Sequence, residues 1–269
     1  MFDMSFNCIA VETRGGIEIL SLNRPDALNA VSPEMAEELT EYFAALPQRL
    51  DVRVVILRGE GRAFCAGADL SSVAFAPPGA GRAQRQMAMQ RLYSGLPKLM
   101  RAAPQPIIAL VQGAACGAGF SLALAADVRI AGPAGKMNAA YLRVGVGGCD
   151  MGSGYMLPLL VGLSLASELL LTGKFIDAAR SLASGLVSDV VPAADLLEAG
   201  MAMAREMLLA SPMGLRMTKE TLNLTVDAPS LEAALTLEDR QQVMLLETAD
   251  HHEAVAAFKE RRPPEYSDE

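Results

Sequence analysis

VQGAACGAGFSLALAADVRIAG, residues 111–132, begins as the end of an apolar strand, breaks over Gly113, Gly117 and Gly119, and runs on as an apolar helix through Ala126. A strand, a glycine-rich turn and a helix N-terminus together present backbone N–H groups, with their partial positive charge, to whatever sits at the turn. A group that gains negative charge is stabilised there. The first side chain beyond the glycines able to react is Ser121, an alcohol with no base beside it in the sequence.

A second glycine-rich turn lies upstream. RAFCAGADL, residues 62–70, follows the buried strand pattern VRVVILRG, residues 52–59, just as the first turn follows QPIIALVQG, residues 105–113. If these strands run parallel, the turns lie side by side, and the N–H groups of Ala68 and Ala118 converge on one oxygen. That would be an oxyanion hole of backbone alone, in which each donor contributes about 2.7–4 kcal/mol to a transition state. Spacing alone leaves open the plainer reading that each turn needs small residues only for tight packing.

The surrounding chain predicts an α/β protein. FNCIAVET and GIEILSL, separated by Arg14 and Gly15, form a hairpin; SPEMAEEL starts a helix with Ser32 as N-cap and Pro33 in the first turn. A helix from about Gln84 to Arg101 makes the crossover between the strands at 52–59 and 105–113, which requires a parallel sheet with helices outside it. PPGAGRAQ, residues 77–84, has the composition of a mobile loop that could cover a site. After Pro192 the sequence becomes almost wholly helical, with Met and Leu at helical spacing, and no internal repeat is visible.

Composition narrows the function. The 269 residues carry a net charge of −8, which argues against nucleic-acid binding. The longest apolar runs are interrupted by Pro158, Gly162 and Glu168, and MFDMSFNCIAVE has no basic stretch followed by an apolar core. A soluble cytoplasmic protein with no membrane partner is expected. Cys8, Cys65, Cys116 and Cys149 form no C-x-x-C pair, and His251 and His252 are the only histidines, so no metal site is expected and the thiols read as reduced, packed side chains. A histidine-based triad is disfavoured for the same reason.

LNRPDALNA at 22–30, RAFCAGADL, the stretch at 111–132, and LTGKFIDAARSLASGLVSDVV at 171–191 resemble, in order, the crotonase superfamily, also called the enoyl-CoA hydratase/isomerase family. AVAAFKERRPPEY at 254–266 continues the likeness to the C-terminus. The resemblance implies a ClpP/crotonase-like α/β spiral of ββα units over residues 1–192 and a helical trimerisation module over residues 193–269. It further implies a homotrimer or a dimer of trimers acting on an acyl-CoA thioester, with coenzyme A entering as part of the substrate and no separate cofactor. Ala68 and Ala118 would hold the thioester carbonyl. Arg24 and Ala27 would lie along the CoA, and Ala66, Asp69 and Leu70 would line the adenine and pantetheine path. Gly67, Gly117 and Tyr141 would complete the binding surface, and Arg24, Arg62, Lys259, Arg261 and Arg262 could meet the phosphates.

The sequence departs from the family pattern where the chemistry sits. Hydratases of this family usually carry two glutamates, and the matching positions here are Ser121 and Tyr141. General acid–base groups contribute about 10²–10⁴-fold each, so hydration should be weak. One acid falls in a suitable place: Asp150, in GVGGCDMGSGYMLP, can serve as base or nucleophile, or can simply cap the following helix. Asp127 reads as structural. A non-catalytic acyl-CoA carrier is the alternative to an enzyme, and a hydrolase built on Ser121 lacks a base.

Overall fold

The computed structural model describes residues 6–71 and 79–269. Its first elements follow directly from local chemistry. β1 (Ile9–Arg14) and β2 (Ile17–Leu22) pair antiparallel around Gly15 and Gly16. α1 (Pro33–Ala45) starts where Ser32 accepts the Met35 N–H and Pro33 occupies the first turn. β3 (Val54–Gly59) and β4 (Ile107–Val111) run parallel, joined through α2 (Arg82–Ala102). The crossover helix thus begins two residues ahead of its expected start. The loop expectation for residues 77–84 fails at Arg82–Gln84, which are helical, and residues 77 and 78 lie outside the described residues.

Beyond β4 the chain coils in short units. β5 (Ala114–Cys116) is followed by α3 (Ala118–Ala125), β6 (Val128–Ala131) and β7 (Lys136–Asn138), then a 3₁₀ turn over Ala140–Val144. α4 (Ser153–Val161), α5 (Leu163–Thr172), β8 (Ile176–Asp177), α6 (Ala178–Ala183) and β9 (Asp189–Val190) complete this part. The strands form a six-stranded sheet in the order β1-β2-β3-β4-β6-β9 and a three-stranded sheet in the order β5-β7-β8. β4 and β6 enter the large sheet, and β5 and β7, which directly follow them, enter the small one. That alternation is the spiral of a crotonase fold.

The middle strands of the large sheet, β2, β3 and β4, are buried on both faces, which is why they read as nearly continuous apolar runs. Val55, Leu57, Ala109 and Val111 face a core shared with α1, α2 and α3. Val54, Ile56, Ile108 and Leu110 face a second core closed by Leu196, Met201 and Ala204 of α7 (Leu196–Met207). α8 (Pro212–Thr225), α9 (Leu231–Leu246) and α10 (Ala249–Glu260) follow. Asp127 is structural: it accepts the Ile107 N–H and pairs with the buried ammonium of Lys219 on α8 at 2.9 Å. Among the described residues no helix is long and apolar enough to cross a membrane.

Candidate active site

Two isolated bridges extend the sheet pairing through the glycine-rich turns and lock them together. Val31 donates to the Gly67 carbonyl and accepts from the Asp69 N–H, which leaves the Ala68 N–H turned away from that ladder. Cys65 donates to the Ala114 carbonyl and accepts from Cys116. α3 therefore begins hard against the upstream turn: a Cβ on Gly119 would lie 2.4 Å from the Cys65 carbonyl oxygen, a contact only glycine avoids. A Cβ on Gly67 would lie 3.9 Å from the Ala118 nitrogen, so the two turns are in contact. Among the described residues neither the Ala68 nor the Ala118 N–H donates a hydrogen bond.

Both alanines line one cavity of about 220 Å³. Ala66, Gly67, Leu70, Gly117, Tyr141 and Asp150 line it with them. Asp150 does not cap α4. The capping position is Gly152, with a left-handed backbone and no side-chain bond, because the 150–153 turn is closed by the backbone of Asp150 and the hydroxyl of Ser153. The Asp150 carboxylate instead accepts the Met151 N–H at 2.7 Å and the Gln90 side-chain amide at 2.6 Å, both on Oδ1. Among the described residues no hydrogen bond reaches Oδ2.

Ser121 and Tyr141 meet where the resemblance places two glutamates. Their hydroxyls are 2.5 Å apart. Ser121 has no exposed surface, and Tyr141 is buried against the cavity. Burial is the main reason that the Tyr141 hydroxyl keeps its proton well above the ordinary tyrosine range. A phenol so held is a donor, not a base, and it gives Ser121 nothing that could activate it as a nucleophile.

Arg24 and Asp69 stand apart from the cavity lining. They pair at 2.9 Å; Arg24 also donates to the Ala30 carbonyl, and Asp69 accepts both the backbone and the hydroxyl of Ser71. Ala27 sits in a 3₁₀ turn (Pro25–Ala27) between them in sequence. Arg62 lines a different cavity, beside Arg58 and Gln112, and Arg262 is tied to Glu253 and Glu260. Lys259 and Arg261 are exposed at the end of α10. Cys8 and Cys65 are buried as expected, and burial pushes the Cys65 thiol up to about 12. Cys149 is exposed, against the packed-thiol expectation, because the turn before α4 carries it outward.

Residues 12–269 match the family described as Enoyl-CoA hydratase/isomerase. The chain belongs to that family. It is 38% identical over 259 residues to a protein of Mycobacterium tuberculosis (strain ATCC 25618 / H37Rv) named a probable enoyl-CoA hydratase, covering 95% of this chain and 91% of the relative. It is 32% identical over 252 residues to the 1,2-epoxyphenylacetyl-CoA isomerase of Escherichia coli (strain K12), covering 94% and 95%. The crystal structure of an enoyl-CoA hydratase from Bacillus anthracis superposes with a TM-score of 0.90 at 30% identity, over 98% of this chain and 100% of that one. These relatives establish an enzyme of the hydratase/isomerase family with a crotonase fold.

In this family member one wall of the cavity escaped sequence reasoning. Gln86, Met89, Gln90 and Tyr93 of α2 line it, and Ala140, Val144 and Met151 close it from the other side. The signal was present in the spacing: 86, 89, 90 and 93 fall on one helical face. That face mixes two amides with apolar residues, a pattern which by itself describes an ordinary half-buried helix.

Proposed function

We propose that the enzyme isomerises a short acyl-CoA thioester by moving a proton through Asp150 while Ala68 and Ala118 hold the thioester oxygen. One observation carries this reading. Ala68 and Ala118, whose N–H groups have no partner among the described residues, line the same small cavity as Asp150, which among the described residues has one carboxylate oxygen without a hydrogen bond. At about 220 Å³ that cavity is below the ~300–1,000 Å³ typical of sites for drug-sized ligands, so it takes an acyl head and leaves the nucleotide outside.

The step balances with one acid–base group. Asp150 Oδ2 removes a proton from the carbon next to the thioester carbonyl, and the electron pair moves onto the carbonyl oxygen as an enolate. The two N–H groups stabilise that charge as it develops; each typically contributes about 10²–10³ in kcat. Returning the proton to a carbon two positions further along shifts a double bond. Hydration also needs a group that activates water, and the positions that would supply it hold two neutral hydroxyls, Ser121 and Tyr141.

Vinylacetyl-CoA, the β,γ-unsaturated isomer of crotonyl-CoA, provides the test. In deuterated water the enzyme should convert it to crotonyl-CoA, with solvent deuterium entering at the γ-carbon that receives the proton. Asp150→Asn should lower the rate by ~10²–10⁴-fold, since it removes basicity with little change of shape, and leave CoA affinity intact. Rapid hydration of crotonyl-CoA that is insensitive to Asp150→Asn would overturn the assignment.

A further inference from the structure

We infer that Tyr141 is a positioning residue that fixes the orientation of the Gly117–Ala118 peptide and so aims the Ala118 N–H; this rests on the oxyanion-hole reading above. The Tyr141 hydroxyl lies 2.7 Å from the Gly117 carbonyl oxygen. In a planar trans peptide that carbonyl and the Ala118 N–H belong to one rigid unit and point in opposite directions. Whatever grips the oxygen therefore sets where the N–H points.

The peptide needs such a grip. Gly117 has φ 49° and ψ −115°, outside the helical region, and α3 has no side-chain cap at its N-terminus. A glycine in that conformation can rotate its peptide plane more freely than any other residue. The Gly117 oxygen accepts two hydrogen bonds, the Ser121 N–H at 3.0 Å from α3 and the Tyr141 hydroxyl from the opposite wall. The second one ties the plane to a separate element, the 3₁₀ turn over Ala140–Val144.

Electrostatics assign the protons. A carbonyl oxygen carries none, so at 2.7 Å the phenol must donate to it. Were the phenol to donate to Ser121 alone, two lone pairs would face each other across that distance. The Ser121 hydroxyl is then free to donate to Tyr141 at 2.5 Å or to the Asp150 carbonyl at 3.1 Å. Burial keeps the phenol protonated, as this role requires. A bond to a peptide carbonyl also polarises its N–H, so the same contact strengthens the donor it aims.

Isotope-edited infrared spectroscopy of crotonyl-CoA carrying ¹³C at the thioester carbonyl reads the effect directly. Bound to the unmodified enzyme, the carbonyl stretch should fall below its value in water. Tyr141→Phe, which keeps the ring, should lose most of that downshift and at least tenfold in isomerisation rate, with crotonyl-CoA affinity changed by less than threefold. Ser121→Ala, which leaves the phenol on Gly117, should retain the downshift. Replacement of Tyr141 by a fluorotyrosine, a stronger donor of the same shape, should enlarge it and gives a second reading if the phenylalanine variant folds poorly. A full downshift in Tyr141→Phe, or an equal loss in Ser121→Ala, would overturn the assignment. No downshift in the unmodified enzyme would instead overturn the oxyanion hole, and the positioning role with it.

Discussion

Asn29 has no exposed surface and a left-handed backbone at φ 56°. Its side chain accepts the Arg24 N–H at 2.9 Å and donates to the carbonyls of Glu60 and Ala63 at 2.8 and 2.9 Å. One amide thus anchors the exit of β3, from which the Ala66–Asp69 turn springs. Asn29→Ala would leave the Arg24 N–H and the Glu60 carbonyl without that partner, at about 1–3 kcal/mol for each one left buried, while the Ala63 carbonyl keeps Gln112, and would put at a positive φ a residue that tolerates it less well than asparagine. We expect a loss of several kcal/mol and a fall of roughly 10 °C in Tm, read by thermal unfolding. Asn29→Asp keeps the acceptor but turns a buried carboxylate oxygen onto two carbonyls, so it should cost at least as much as Asn29→Ala. At this scale the sequence was only partly legible. The alanines of the two turns could be named because a strand followed by glycines exposes particular N–H groups. The work of Asn29 could not, since two of its three partners lie more than thirty residues away. Asp150 was ambiguous for a different reason: an acid before a helix reads as a cap until the backbone of Gly152 is seen to occupy that position.

Among the elements, α8 joins the second half of the chain to the first through one buried cation. Lys219 donates to the carbonyls of Met100 and Gln105 and pairs with Asp127, tying α8 to the end of α2 and the start of β4. Burial is the largest influence on it and holds its ammonium below the ordinary lysine value. The unfolded chain therefore binds more protons than the folded one between that lowered value and 10.5. Through this group, stability should rise as pH climbs across that window. Lys219→Met should remove the rise, and should cost about 3–5 kcal/mol at neutral pH by leaving Asp127 and two carbonyls unpaired. Urea unfolding at several pH values measures both effects. Helices were the most legible elements, because caps such as Ser32 act within three residues. β5, β7, β8 and β9 were not resolved as separate strands in the sequence; at two or three residues each they are too short to show a period of two.

At the scale of the whole molecule, the parallel sheet followed from the two buried strands and the helix between them, whereas the small sheet emerges only when β5 and β7 are seen to peel away from β4 and β6. The helices beyond residue 192 divide in role. α7 covers the sheet, while α8 to α10 carry apolar side chains that this chain leaves uncovered: Phe258 is 84% exposed, Leu231 is 74%, and Leu222, Leu224 and Val243 are also exposed. Exposed apolar side chains gathered into one patch mark a contact between molecules. We propose that the region beyond residue 192 is an assembly module, and light scattering should accordingly give a trimer or hexamer. A stable monomer at micromolar concentration would refute it. Phe258→Asp with Leu231→Asp should shift the population towards smaller species without lowering the stability of the sheet core.

The two turn amides have a further consequence, in inheritance. An N–H belongs to the main chain, so any of the other non-proline residues at positions 68 or 118 still supplies it. Proline is the exception, and at position 118, the first residue of α3, it would fit the helix while deleting the donor. Ser121, Tyr141 and Asp150 have no such protection, because every amino-acid substitution there changes the side chain. On the proposed reading, a lineage built on this scaffold would drift from one reaction to another while keeping both donors.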